Sequence, residues 1–232
     1  MFSVERDKSF PRVLVGTPTS RFKDYCQDEF IKNAKGLMYP NFEFYISDNS
    51  PEKDNCKLIR EKYGVNCDWV NPRGKSNVQM VAESMEQIRT KALQGNFDYL
   101  FSYESDIFGK PDIIENLMLR KKLVTAAYYH IDHGEDSQGM VILNMNISTR
   151  TLSAYESFGN HIDGDIHPCW NAGLGATLIH SSVLKQIKFR YEKKYFSHPD
   201  FFFSIDLNEL KIPFYSDSSV IAEHKNRYWI YH

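Results

Sequence analysis

The sequence lacks several features that would place it at once. It carries only four cysteines, Cys26, Cys56, Cys67 and Cys169, and none belongs to a CxxC pair. That argues against a zinc ribbon and against a thioredoxin-type redox motif. A chain of 232 residues with 42% apolar content can build a core without disulfide staples. Reduced, mostly buried thiols are therefore expected. No stretch approaches the ~20 apolar residues of a membrane span. Residues 1–11 are polar and mixed in charge, without the apolar run of a signal peptide. These absences predict a soluble, cytoplasmic protein, and they make the sequon at Asn146-Ile147-Ser148 a chance match.

Charge of one sign is missing too. The 28 basic and 30 acidic residues leave a net charge of −2, unlike proteins that bind nucleic acid mainly by neutralising phosphates. Internal repeats, low-complexity tracts and Pro/Gly/Ser linkers are absent, so a single domain over 1–232 is expected. What is abundant is aromatic: 14 Tyr and 16 Phe in a 14% aromatic share. Disordered chains are poor in these residues, so the surplus must be core, or platforms for flat ligands.

The first half alternates between two periods. Strands are expected at Arg12–Gly16, Phe42–Ile46, Asp68–Val70, Asp98–Tyr103 and Leu123–Tyr129. Between them, helical spacing runs over Phe22–Ala34, from Pro51 (with Ser50 as cap) to about Tyr63, over Ser76–Leu93 and over Pro111–Arg120. This alternation predicts an α/β fold with a parallel sheet between helices, whose ligands bind outside the carboxyl ends of the strands. The second half is less regular. Met140–Met145 and Ala172–Ile179 read as strands and Ser148–His167 as a polar loop. Ser181-Ser182 caps a short helix over Val183–Ile187. Pro199–Leu210 is the last helix, and Phe214-Tyr215 and Val220–Ala222 read as late edge strands.

The chemistry gathers at strand ends. Glu104-Ser105-Asp106 places two carboxylates at i and i+2 beyond an apolar strand, where they can aim at one Mg²⁺ or Mn²⁺, or simply form a solvated turn. His224, after Val220–Ala222, can supply an imidazole ligand. Arg73-Gly74-Lys75-Ser76 tempts a phosphate-loop reading, but Trp69 stands where the leading glycine is required. Arg73, Ser76 and Asn77, at a helix start, can still meet phosphate or ribose, or form a capped loop. Trp170 can stack on a sugar or base, or pack in the core, Asn171 can hold hydroxyls, and Gly173 and Gly175 in a strand mark a close approach of backbone or ligand. His130-Ile131-Asp132-His133 lacks the i,i+4 geometry of a helical zinc motif.

Taken in order, several short motifs resemble the GT-A glycosyltransferases, enzymes that use nucleotide sugars on a Rossmann-like sheet. They are Val13–Pro18, Tyr45–Ser50, Glu104-Ser105-Asp106, Ala172–Ile179 with Val183-Leu184, Asp200–Phe203 and His224. Glu104-Ser105-Asp106 is similar to the family's DxD metal motif, with Glu in place of the first Asp. The resemblance implies a GT-A fold: a central, mostly parallel sheet flanked by helices, with a smaller antiparallel part on the acceptor side. Residues 11–130 would form the nucleotide-sugar half and 131–232 the acceptor half. Thr17, Pro18 and Asp48 would contact the donor, with Arg73, Ser76, Asn77, Glu104, Ser105 and Asp106. Asp48 equally suits an Asx turn. Asp106 and His224, with Glu104, would hold Mn²⁺ or Mg²⁺, and Trp170, Asn171 and Gly173 would face the acceptor. Asp200, which opens a helix whose dipole keeps it ionised, would be the base of an inverting reaction.

The expected protein is thus a metal-dependent glycosyltransferase of the hexosyltransferase type. It moves a sugar from a UDP-linked donor to an acceptor hydroxyl. The acceptor stays open among a saccharide, a lipid-linked sugar, a protein and a modified DNA base. A viral source would put it in the host cytoplasm. Lys185, Lys188, Arg190, Lys193 and Lys194 could grip a polyanion or form a solvated face. The rivals are a nucleotidyltransferase, which would carry a Gly-rich basic loop after the first strand, and a non-catalytic nucleotide-sugar-binding or glycan-binding module.

Overall fold

The structure, a computed structural model, describes residues 10–133, 136–139, 141–142, 163–193 and 198–225. The sequon 146–148, residues 140 and 143–145 of an expected strand, residues 148–162 of the polar loop and Lys194 lie outside the described residues.

β1 (Val13–Thr19) leads through a 3₁₀ turn, Arg21–Lys23, into α1 (Gln27–Lys35). The helical spacing from Phe22 thus covers two elements. β2 (Phe42–Asp48), α2 (Asp54–Tyr63) and β3 (Asn66–Trp69) follow. Ser50 does not cap α2. Its hydroxyl donates to Asp48 Oδ1 and accepts from the Arg21 amide, so the helix begins only at Asp54. Gly64 closes α2 in the left-handed conformation (φ 64°) that glycine adopts without penalty. α3 (Asn77–Gln94) starts as expected, with Ser76 Oγ accepting the Gln79 amide. β4 (Tyr99–Tyr103), β5 (Ile107–Phe108), α4 (Ile113–Leu119) and β6 (Val124–Tyr128) complete the first half.

The second half contributes β7 (His130–His133), β8 (Asp136–Gly139), β9 (Val141–Ile142), β10 (Ile166–Cys169), β11 (Asn171–Ala172) and β12 (Ala176–His180). They are followed by α5 (Ser181–Leu184), α6 (Pro199–Glu209), β13 (Phe214–Ile221) and β14 (Glu223–His224). Eight strands form one sheet in the order β10-β13-β6-β12-β4-β1-β2-β3. Four of the seven neighbour pairings are parallel: β1 with β2 and with β4, β2 with β3, and β6 with β13. β12 inserts antiparallel between β4 and β6. Small antiparallel pairs, β11-β9, β14-β5 and β7-β8, stand beside it.

Three expectations are corrected here. Ala172–Ile179 is not one strand: β11 ends at Ala172, and the chain turns before β12 starts at Ala176. The two late edge strands are one strand, β13, and it lies inside the sheet between β10 and β6. The polar loop to His167 gives its end to β10, which pairs antiparallel with β13.

The core lies in two layers, one on each face of the sheet, because successive side chains of a strand point to opposite faces. On β1, Val13 and Val15 pack with Phe30, Ile31, Ile59 and Leu117 of α1, α2 and α4. Leu14, between them, packs with Met85, Ile88, Val183 and Leu207 of α3, α5 and α6. Gly16 is where α3 crosses β1: a Cβ there would come within 2.2 Å of Ile88 Cγ2. The same architecture brings the carboxyl ends of β1, β2 and β4 to one edge.

Candidate functional site

A cavity of about 410 Å³ opens at that edge. Its floor is the turn after β4, Glu104-Ser105-Asp106. The turn is fixed by backbone bonds: the Glu104 amide donates to Gly175 O (2.8 Å), the Ile107 amide to Glu104 O (3.0 Å) and the Lys225 amide to Asp106 O (2.8 Å). Gly175 must lack a side chain, since a Cβ would lie 2.8 Å from Tyr129 Oη and 3.0 Å from Ile107 Cγ1. The close approach that a strand glycine announces is here one of protein to protein.

One wall is the chain leaving β1. Pro18, Thr19, Ser20, Phe22, Lys23 and Tyr25 all face the cavity. This segment is pinned to the floor, because Thr19 Oγ1 donates to Ser105 Oγ (2.9 Å) and Cys26 Sγ to Ser105 O (3.3 Å). The opposite wall comes from α3 through Asn77, Met80 and Val81, with Asn49 beside them and His198 across the mouth.

The electrostatics of the floor are uneven. Burial drives the Glu104 carboxyl up to about 7, with help from the nearby Asp200 and Asp106 charges. Burial acts on Asp106 in the same direction. It is outweighed by the hydrogen bond with His224 and the charge of Lys23, and the Asp106 carboxyl falls below its ordinary value. Lys23 Nζ sits on Asp106 Oδ2, and His224 Nε2 approaches the same oxygen at 3.2 Å. Asp106 Oδ1 is buried and has no hydrogen-bond partner.

This donor set fits a divalent cation. His224 Nδ1 lies 3.2 Å from the carbonyl oxygen of His130 and must be the donor of that bond. With Nδ1 so engaged, Nε2 is the ring nitrogen directed at Asp106, the orientation metal-ligating histidines take when a carbonyl fixes their ring. Beside it the buried Asp106 Oδ1 has no partner, and a cation would supply one. Among the described residues, no group of three or more His, Cys, Asp or Glu side chains is placed to hold an ion. Protein would supply two ligands, and further oxygens must come from a ligand or water.

Of the residues singled out by sequence, Pro18, Asn77, Glu104, Ser105 and Asp106 line the cavity. The others do not line it. Thr17 is fully buried. Asp48 is fully buried too, its Oδ1 accepting from the Ser50 amide, the Ser50 hydroxyl and Asn55 Nδ2. It shapes the loop after β2, as an Asx turn does, and Asn49 is the residue of that loop that reaches the cavity. Arg73 is exposed, and Ser76 serves as the cap of α3.

On the acceptor side, Trp170 is buried with its ring 5.3 Å from that of Phe201. Asn171 Nδ2 donates to Asp200 O (3.1 Å) and Ser204 Oγ (2.8 Å), which docks the first turn of α6. Gly173 O accepts from Thr177 Oγ1 at 3.0 Å. Asp200 itself is buried. Its Oδ2 accepts the Leu174 amide (3.2 Å), and its Oδ1 pairs with His198 Nδ1 (2.9 Å). Burial raises Asp200, but the His198 charge and these hydrogen bonds hold it below its ordinary value. Sequence reasoning overlooked Lys23 and His198. Lys23 looked like one polar position of an amphipathic helix, and His198 like a flank of the cap before Pro199.

No protein-family model matches the sequence, and no curated protein matches it. Solved structures do match the fold. S. aureus TarS 1–349 in complex with UDP-GlcNAc aligns over 94% of this chain and 59% of its own length, at 12% identity and a TM-score of 0.58. The chain therefore spans somewhat over half of that structure. A mycobacterial protein aligns over 96% of this chain and 70% of its own, at 11% identity and a TM-score of 0.58. TarS 1–349 in complex with UDP aligns at 10% identity over 93% of this chain and 58% of its own, with a TM-score of 0.55. At such identities the likeness is one of fold. Together with the sheet order and the antiparallel β12, it defines a GT-A fold.

Proposed function

We infer that the chain is a nucleotide-sugar-dependent glycosyltransferase with a UDP-linked donor. The observation that carries this reading is Asp106, on the floor of the cavity where the carboxyl ends of β1 and β4 meet, paired with His224 behind it. The fold it shares with TarS, a protein solved with UDP-GlcNAc and with UDP, supports the donor class.

Asp106 and His224 would hold Mn²⁺ or Mg²⁺, which when bound offsets the charge of the departing diphosphate. Glu104 lies beside them, and its raised pKa makes it repel the donor less than an ordinary carboxylate would. Pro18 and Asn49 border the nucleoside, and Asn77 the ribose or phosphate. In an inverting reaction, the acceptor oxygen forms its bond to the anomeric carbon as the bond to the diphosphate breaks. The bonding electrons leave with the diphosphate, and Asp200 takes the hydroxyl proton. The acceptor hydroxyl first displaces His198 Nδ1 from Asp200 Oδ1. That frees the carboxylate and removes the cation that weakens it as a base. The cluster at Lys185, Lys188, Arg190 and Lys193 leaves a polyanionic acceptor among the classes to screen, alongside saccharides and lipid-linked sugars.

The test is UDP release from a panel of nucleotide sugars, with Mn²⁺ and with EDTA. Turnover of one donor that EDTA abolishes supports the reading. Failure of every nucleotide sugar to raise the melting temperature would overturn it.

A further inference from the structure

Lys23 has no part in the reading so far, yet it occupies the centre of the site. It belongs to the 3₁₀ turn after β1. That turn is tied down at both ends: the Arg21 amide donates to Ser50 Oγ (2.9 Å), the Lys23 amide to Ser20 O (2.9 Å), and Cys26 Sγ to Ser105 O (3.3 Å). The side chain is therefore delivered to the floor from a fixed backbone. Its Nζ lies on Asp106 Oδ2, the oxygen that His224 also approaches. The Asp106 side chain is 1% exposed and that of Lys23 18%, so the ammonium stands between the carboxylate and the open cavity.

We propose that Lys23 is a tethered counter-ion that holds the cation position of Asp106 in the empty enzyme and crosses to the donor diphosphate when a divalent ion arrives. This rests on the donor-site reading above. The physical case is a charge balance. Glu104, Asp106 and Asp200 crowd carboxylates around a buried floor. An unpaired buried carboxylate is costly, and Lys23 removes that cost without a metal. The same pairing makes Lys23 a competitor, because a divalent ion gains full access to Asp106 only once the ammonium leaves. Lys23 lines the same cavity as the donor, so the displaced charge has a diphosphate to meet. Metal and nucleotide then favour one another, and such coupling is reciprocal.

The experiment measures Mn²⁺ binding to the nucleotide-free protein by the loss of the free-ion EPR signal. It compares wild type with Lys23→Met, Lys23→Gln and Lys23→Arg, after melting curves show that each is folded. The two neutral variants are expected to bind Mn²⁺ roughly tenfold more tightly than wild type, and the Arg variant to match wild type. Equal or weaker binding by both neutral variants, or no Mn²⁺ binding by any protein, overturns the proposal. A second arm measures UDP binding at saturating Mn²⁺ by calorimetry, where Lys23→Met is expected to bind about tenfold more weakly than wild type. An unchanged UDP affinity there overturns the crossing to the diphosphate. If wild type binds no nucleotide with or without Mn²⁺, the donor-site reading fails, and the EPR arm alone decides whether Lys23 guards Asp106.

Discussion

His224 Nε2 lies 3.2 Å from Asp106 Oδ2, although 118 residues separate them in the chain. The contact is made by the short antiparallel pair β14-β5, which sets His224 opposite Ile107, the residue after Asp106. The Lys225 amide closes the register by donating to Asp106 O at 2.8 Å. An imidazole and a carboxylate from distant parts of the chain are thereby held at ligand spacing in a buried site, both side chains 6% exposed or less.

If this pair holds the divalent ion, removing either partner should cost metal first. Asp106→Asn and His224→Ala are each expected to weaken Mn²⁺ binding by at least ~10-fold. UDP release should become insensitive to EDTA because it is lost in both conditions. EPR titration beside a donor-hydrolysis assay checks this. Wild-type metal affinity in both variants would reject the assignment.

Asp200→Asn should separate transfer from binding. The amide oxygen can still accept the Leu174 amide, so the turn into β12 should keep its shape. Transfer to acceptor is expected to fall about 10²–10⁴-fold, the usual contribution of a general base, with UDP affinity unchanged. Calorimetry and an initial-rate assay distinguish the two effects. Full activity in this variant would exclude Asp200 as the base.

The His198–Asp200 pair should also show in stability against pH. Burial pulls the imidazole down, but the charge and hydrogen bond of Asp200 push it up to about 9. A raised folded pKa stabilises fully below the unfolded value near ~6.5, and the effect fades as pH rises through about 9. The Asp200 shift runs the other way: its contribution is present above ~3.9 and lost as pH falls through its lower folded value. Melting curves of wild type and His198→Gln should differ most between about pH 4 and 6.5 and converge by about pH 10. A gap that stays constant from pH 5 to 10 would mean the pair is not ionic.

Gly16→Ala tests the crossing of α3 over β1. The new Cβ would meet Ile88 Cγ2 at 2.2 Å and Leu100 Cδ1 at 2.9 Å. Overpacking of this kind costs about 1–3 kcal/mol. Trimming the neighbour with Ile88→Ala should make the double variant less unstable than the sum of the singles. Urea denaturation of the four proteins measures the coupling. Strict additivity would mean the helix simply shifts away.

Much of the first half was legible because its signals are local. β1, β2 and β4 are apolar runs bounded by turn residues, and α3 carries both its cap at Ser76 and an apolar face through Met85 and Ile88. Ser50 misled for an equally local reason. A serine before Pro51 looks like a cap, but the deeply buried Asp48 needs hydroxyl and amide partners more than the helix does. The second half resisted because its strands are defined by their neighbours. β13 reads as two fragments around Ser216–Ser219, and only burial between β10 and β6 makes it one interior strand. Among site residues, Glu104, Asp106 and His224 were legible from residue type and position after a strand.

By itself, then, the sequence determined the alternation of strand and helix, the two-faced core and the placing of carboxylates at strand ends. Those follow from hydrophobic period and turn chemistry within a few residues. Tertiary structure decided which charges meet. It set Lys23 and His224 on one oxygen of Asp106 and withdrew Asp48 and Trp170 into the interior. The physical reason is that a charge's role depends on burial and on partners that lie, for Asp106, 83 and 118 residues away. Neither is encoded in the spacing of any one segment.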